Sequence, residues 1–335
     1  MLRAAVDPTA HRVEVGEFDF PLGVYPVTPA EAEPASGYTT EFEQADGDET
    51  GDWEEWPDRY MFDIVVPRKR LEMLCLSLFS MLPGRVFPIL DVLSEDAYRE
   101  IDPYIAYESV SFERFIDEIR RYRSWFLDDG MVGFGAMSLD PFVYVFVDEH
   151  KIVTARVETS LKERVEKLLA SFDVGIVEEL AGVDSTEHEH RSILALELDG
   201  QQFASHTEIV ERMRERWALS LNIDWDANND DDGRPLGVCG WRVDIRRFNE
   251  NDDEVGRWEV LLAATSLAEA ERLAMEGVAQ EVGAPTLDEE ALREQFELLE
   301  AIRMRPESYS EAIGDPPSFD PPSTPGVRAV RSWTA

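Results

Sequence analysis

Lysine is almost missing from this chain. Only Lys69, Lys151, Lys162 and Lys167 occur, against 28 arginines. Basic residues of both kinds number 32 and acidic residues 70, a formal net charge of −38. Such a surface repels nucleic-acid phosphates and anionic lipid headgroups over a Debye length of about 8–10 Å. Binding to nucleic acid or to a membrane surface is therefore not expected. Basic protein partners, metal cations or a salty environment are favoured instead. Acid excess with scarce lysine resembles the proteomes of salt-adapted microbes. An arginine-rich codon bias gives the same balance, and the two readings stay open.

Cysteine is also scarce. Cys75 and Cys239 are the only two, and neither belongs to a Cys-x-x-Cys pair, which excludes a zinc ribbon or a thioredoxin-type motif. Reduced thiols fit a cytoplasmic protein. The longest apolar run, Leu71 to Leu82, is broken by Glu72, Ser77 and Ser80 and is shorter than the about 20 residues that cross a bilayer. Residues 1–8 hold one arginine and no apolar stretch, so a secretory signal is not expected. No Gly-x-Ser-x-Gly elbow occurs, and no serine or cysteine stands in a nucleophile's context. Histidine is limited to five positions: His11, His150, His188, His190 and His206.

What is present is material for a core: 44% hydrophobic residues, with 17 Phe, 9 Tyr and 8 Trp. Residues 13–58 carry fourteen acids, no base and several prolines, a density of like charge that disfavours compaction. The expectation is an acidic disordered arm over 1–58. Order is expected from Arg59: a strand over Tyr60–Val66, a helix over Arg68–Leu82, and strands over Val86–Val92, Met131–Ser138, Phe142–Val147 and Ile152–Val157. Phe112, Phe115, Ile116, Ile119, Tyr122 and Phe126 follow helical spacing. A second unit follows, with strands near Ile193–Leu198 and Leu219–Trp225 and a hairpin pairing Trp241–Phe248 with Trp258–Ala264. Capping-box signatures open helices at Ser160, Ser205, Ser266 and Thr286. The sequence thus predicts an α+β protein of antiparallel sheets with helices on one face. Its elements are ordered like two ferredoxin-like units, over 59–182 and 191–304, with a Pro-rich tail over 305–335.

Four stretches are candidate sites. In His188-Glu189-His190 an extended backbone turns both imidazoles to one side, where they could share a metal ion, with Asp184 and Glu187 as further ligands. A third fixed ligand is not identifiable, and by itself the stretch is a solvated linker. Asn228, Asp230, Asp232 and Gly233 match the first half of a calcium loop, but its closing glutamate is replaced by Cys239. Asp230 and Asp232 remain candidate ligands of a divalent cation in an otherwise solvated acidic loop. Gly133 and Gly135 lie within a strand, where close packing explains them better than a phosphate does. Arg68-Lys69-Arg70, with Arg114, Arg120, Arg121 and Arg123, could bind an anion. Pairing with Asp117, Glu118, Asp128 and Asp129 is the better explanation.

Trp53 and Trp56 stand three apart among acids. They read either as packing on the chain's own first strand or as aromatic anchors for a partner. Together these features favour a non-catalytic protein–protein interaction or assembly component, with no resident cofactor and with a protein partner for which the acid excess favours basic character. The alternatives are a metal-assisted hydrolase built on His188 and His190, and an acidic inhibitor that imitates nucleic acid.

Overall fold

The computed structural model describes residues 3–45, 56–249, 251, 253–283 and 288–333. The chain is α+β, with antiparallel sheets. It divides into two compact units, Met1–Leu93 with Asp102–Asn222, and Ser94–Ile101 with Ile223–Ala335.

The first unit is built on a nine-stranded sheet. Its strands run in the order Leu219–Leu221, Ile101–Ala106, Arg85–Leu93, Val132–Leu139, Phe142–Val147, Val153–Glu158, Arg59–Val65 and Gly37–Glu43, with Val110–Ser111 pairing off Arg85–Leu93. These segments are rich in β-branched and aromatic residues, which suit a pleated, half-buried surface. Register explains which side chains go inside. Phe134 opposes Val147, Ala136 opposes Val145, and Ala155 opposes both Val145 and Phe62, a row that is wholly buried. Helices Arg68–Phe79, Phe112–Arg121 and Arg123–Asp128 pack on strands of this sheet. Leu74, Leu78, Phe79, Phe115, Trp125 and Phe126 close the core with Trp217 from helix His206–Trp217. Ser205 opens that last helix with both halves of the expected capping box. At Ser160 the box does not form: a short 3-10 turn precedes the helix, and the serine hydroxyl donates to Glu158.

Residues 3–45 differ from the arm expected over 1–58. They carry strands Glu14–Val15, Phe18–Asp19, Val24–Pro26 and Gly37–Glu43, and they bury Phe18, Phe20 and Val24 in a small core completed by Val65 and Val183. Of their acids, Glu43 is compensated by arginines further along the chain. Glu43 lies 2.6 Å from Arg59 and 3.3 Å from Arg156. Residues 46–55 of the expected arm, Trp53 among them, lie outside the described residues.

The second unit is a four-stranded sheet in the order Phe296–Met304, Cys239–Phe248, Glu254–Ala264 and Gly326–Ser332. Helix Leu267–Glu281 buries Ala270, Ala274, Met275 and Val278 and packs on all four strands. Its Ser266 cap accepts from Glu269 N–H. Neither unit has the four-stranded βαββαβ arrangement that the element order suggested. The first sheet has nine strands, and the second follows ββ-α-α-β-α-β. The boundary expected over 183–190 moves to 222–223, because the capped helix His206–Trp217 buries its apolar face in the first unit. The tail expected over 305–335 is ordered through residue 333. Pro306 stands at the first position of helix Pro306–Ile313, where its missing N–H costs nothing, and Gly314 closes that helix at φ 82°. The chain then returns as a strand on Glu254–Ala264. Among the described residues no helix is long and apolar enough to cross a membrane.

Two acids of the second unit sit in contrasting surroundings. Arg303 is buried, and its Nε lies 3.0 and 2.9 Å from the two carboxylate oxygens of Asp96. Asp244 is less well served: its Oδ1 is buried and makes no hydrogen bond. Burial pushes its pKa up to about 7, Glu300, Glu259 and Glu95 add to the rise, and Arg242 opposes it. The native state therefore holds a proton there that the unfolded chain releases near pH 4. This contribution to stability is complete at low pH and is lost as pH rises towards and through about 7. Asp244→Asn is expected to match the wild type near pH 4 and to exceed it at pH 8 by about 1–2 kcal/mol, after allowance for solvent screening. Urea melts at both pH values measure the difference. Equal gaps at the two pH values would contradict the assignment.

Candidate metal centre

The chain makes the centre by joining a tight turn to a short strand. Strands Phe142–Val147 and Val153–Glu158 are linked by Asp148-Glu149-His150-Lys151-Ile152. Asp148 closes this turn by accepting from Ile152 N–H at 2.8 Å. Lys151 takes φ 67° and buries its side chain, donating to the Val132 carbonyl. His150 is thereby held between two fixed neighbours.

The other two imidazoles come from the strand His188–His190. It lies antiparallel to Val24–Pro26, with His188 opposite Pro26 and His190 opposite Val24. Alternation places both rings on one side, as the sequence predicts, and Glu189 on the other, where it accepts from Tyr25 Oη–H at 2.7 Å. His150 meets them. One nitrogen of each ring lies within 4.8 Å of the other two, and His150 Nε2 stands 3.0 Å from His188 Nε2. All three rings are partly buried.

Hydrogen bonds at the far nitrogens set the tautomers. His188 Nδ1 lies 2.8 Å from the Thr186 carbonyl, and His190 Nδ1 lies 2.8 Å from the Gly130 carbonyl. A carbonyl only accepts, so both Nδ1 atoms carry the proton and both Nε2 atoms present a lone pair to the centre. His150 Nδ1 faces carboxylates, 3.3 Å from Glu149 Oε1 and 3.7 Å from Asp148 Oδ2. Burial pulls the His150 pKa down, but the hydrogen bond and charge of Asp148, with Glu149 and Asp184, outweigh it and raise the pKa. Burial lowers that of His190. Burial raises Asp148, and it drives Asp91 up to about 7 with the help of Glu149's charge. Carboxyl groups thus flank the outer side of His150, while His188 and His190 turn their Nε2 atoms inward.

Sequence reasoning missed His150, which lies 38 positions from His188 and was legible only as a turn residue. The available signal was rarity: a chain with five histidines has brought three of them together. Asp184 and Glu187 enter no cluster of three potential ligands among the described residues, although Asp184 is close enough for its charge to act on His150. Asp230 and Asp232 serve their own turn. Asp230 Oδ1 accepts from Arg234 N–H at 2.8 Å, and Asp232 pairs with the Arg234 guanidinium at 2.7 Å. Neither belongs to a cluster of three potential ligands among the described residues.

Trp56 packs on the chain's own sheet, with ring centroids 5.3 Å from Phe142 and 5.9 Å from Tyr144. A Cβ at Gly135 would stand 2.2 Å from the Val145 carbonyl, so that glycine serves strand packing. Arg120 and Arg121 pair with Asp117 and Glu118. Both cysteines are buried and unbridged, and burial pushes the Cys75 thiol up to about 12, far from a nucleophile's range. Comparison with protein-family models, curated proteins and solved structures finds no match for this chain.

Proposed function

We propose that this chain is a metal-dependent protein that holds one divalent transition ion, zinc foremost, at His150, His188 and His190, and that it uses the ion for hydrolytic chemistry. The observation that carries this reading is the convergence of the three rings with their outer nitrogens engaged elsewhere. Without an ion, two inward lone pairs and a third imidazole nitrogen crowd one small space, and only a shared proton relieves them. With an ion, all three donate. The 3.0 Å between His150 Nε2 and His188 Nε2 is close to the about 3.3 Å edge of a tetrahedron with metal–nitrogen bonds of about 2.0–2.1 Å.

Three protein ligands with a fourth position left for water or substrate is the pattern of catalytic zinc; structural sites close with four. An all-imidazole set suits zinc, copper, nickel or iron better than calcium or magnesium. An ion there would bring the pKa of a bound water down towards about 7 and polarise a carbonyl or phosphoryl oxygen. The carboxylates around the cluster attract a cation and disfavour a polyanionic substrate, so a neutral or cationic ester or amide fits best.

The competing readings, as an acidic interaction component or a nucleic-acid mimic, draw on the charge balance, to which the geometry of the described residues adds nothing. Atomic absorption after zinc loading and exhaustive dialysis tests the proposal. The wild type is expected to retain one zinc per chain, and His150→Ala and the double variant His188→Ala/His190→Ala less than about a tenth of that. Stoichiometric zinc in His150→Ala, or none in the wild type, would remove it.

A further inference from the structure

The three imidazoles differ in what holds their outer nitrogens. Neutral backbone carbonyls of Thr186 and Gly130 hold His188 and His190. His150 alone is backed by side chains, and both are ionisable: Glu149 Oε1 at 3.3 Å and Asp148 Oδ2 at 3.7 Å from Nδ1. Asp148 is itself fixed, since its Oδ1 accepts from Ile152 N–H at 2.8 Å. Asp148, Glu149 and His150 form a second group of potential ligands that shares the His150 ring with the first.

Resting on the metal reading above, we infer that Glu149, supported by Asp148, is the positioning residue of the His150 ligand. Its carboxylate, 3.3 Å from Nδ1, places negative charge behind the ring, which favours a proton on Nδ1, keeps the Nε2 lone pair on the centre and strengthens that nitrogen as a donor. A carboxylate behind a ligating imidazole withdraws positive charge from Nδ1–H and makes the ring a better base, an effect a neutral carbonyl exerts less. His150 is then the ligand whose strength is set by charge, and His188 and His190 are those set by backbone geometry. Geometry also speaks for this role over a second ion. Glu149 and Asp148 approach the nitrogen that points away from the three-imidazole centre, within ion-pair distance of it.

The test uses the full-length chain, stripped with chelator, and Co²⁺ as a spectroscopic probe. Co²⁺ is titrated into the wild type, Glu149→Gln, Glu149→Ala, Asp148→Asn and His188→Ala, while visible d–d absorption and bound metal are followed. Thermal melts without metal identify variants that remain folded. The wild type is expected to bind one Co²⁺. Glu149→Ala is expected to bind one with roughly 100-fold weaker affinity and a shifted d–d spectrum, and Glu149→Gln, which keeps an acceptor but loses the charge, with roughly 10-fold weaker affinity. Asp148→Asn should fall between Glu149→Gln and the wild type. Affinity and spectrum unchanged in every folded carboxylate variant would overturn the positioning role and leave the metal centre standing. Two Co²⁺ per chain, one of them lost in Glu149→Ala, would overturn it by making the carboxylates ligands of a second ion. No Co²⁺ bound by the wild type would sink the metal centre and the inference together.

Discussion

Gly130→Ala is expected to lower the melting temperature of the first unit by roughly 6–12 °C and to abolish metal retention with it. Three backbone segments meet at this glycine. Gly130 N–H donates to the Arg191 carbonyl at 3.1 Å, and Arg191 N–H donates to the Gly23 carbonyl at 2.9 Å. The Gly130 carbonyl accepts from His190 Nδ1. A Cβ on Gly130 would stand 2.1 Å from the Gly23 carbonyl oxygen and 2.9 Å from its carbon. Both are backbone atoms, so no side-chain rotation relieves the clash; the segments must part. Overpacking of this kind costs about 3 kcal/mol, and each kcal/mol moves the midpoint of a unit this size by about 2–4 °C. His190 then loses the acceptor that fixes its tautomer. Calorimetry with metal analysis of the dialysed variant measures both effects. A variant with wild-type melting and a full complement of zinc would show that the junction has slack.

The same junction explains how much of the molecule the sequence announces. The hairpins Val132–Leu139/Phe142–Val147 and Cys239–Phe248/Glu254–Ala264 and the cap at Ser205 are written in contiguous residues, and they form within two positions of where the pattern puts them, except that the last strand begins at Glu254, four positions before the expected Trp258. The N-terminal strands are not legible in that way. Gly37–Glu43 gains its place by pairing backbone with Arg59–Val65, and backbone hydrogen bonding leaves little trace in composition. Its acids look mutually repulsive along the chain, yet Glu43 is compensated in space by Arg59 and Arg156. The candidate centre is divided likewise. The shared side of His188 and His190 follows from strand alternation, which is local. The arrival of His150 follows from the order of strands in a nine-stranded sheet, which is not.

Two residues before Gly130, Asp128 holds an ion cluster whose disruption should damage the first unit severely. Asp128 is 4% exposed and ends helix Arg123–Asp128. Its two carboxylate oxygens accept from Arg68 Nε at 2.9 Å and Arg68 Nη2 at 2.8 Å, and Arg12 Nη2 adds a third contact at 2.9 Å. Its carbonyl accepts from Gly23 N–H at 2.6 Å. Arg68 is itself 8% exposed and begins helix Arg68–Phe79, so one carboxylate joins two helices to the N-terminal segment. Asp128→Ala leaves the Arg68 guanidinium in a poorly solvated site without its counter-charge. Breaking a buried pair from one side costs about 3–5 kcal/mol, because the surviving charge has been desolvated for nothing. Arg68→Ala should cost less, since Arg12 continues to neutralise Asp128. Arg68→Met with Asp128→Ala should recover part of the loss, because no charge is then stranded and the methionine fills the volume of the arginine stem. Urea unfolding of these three variants and of Arg68→Met alone gives the comparison. The expected order of stability is wild type, then Arg68→Ala, then the double variant, then Asp128→Ala. If the double variant were as unstable as the sum of its single changes, the penalty would come from lost packing, and the cluster would owe little to the pairing of its charges.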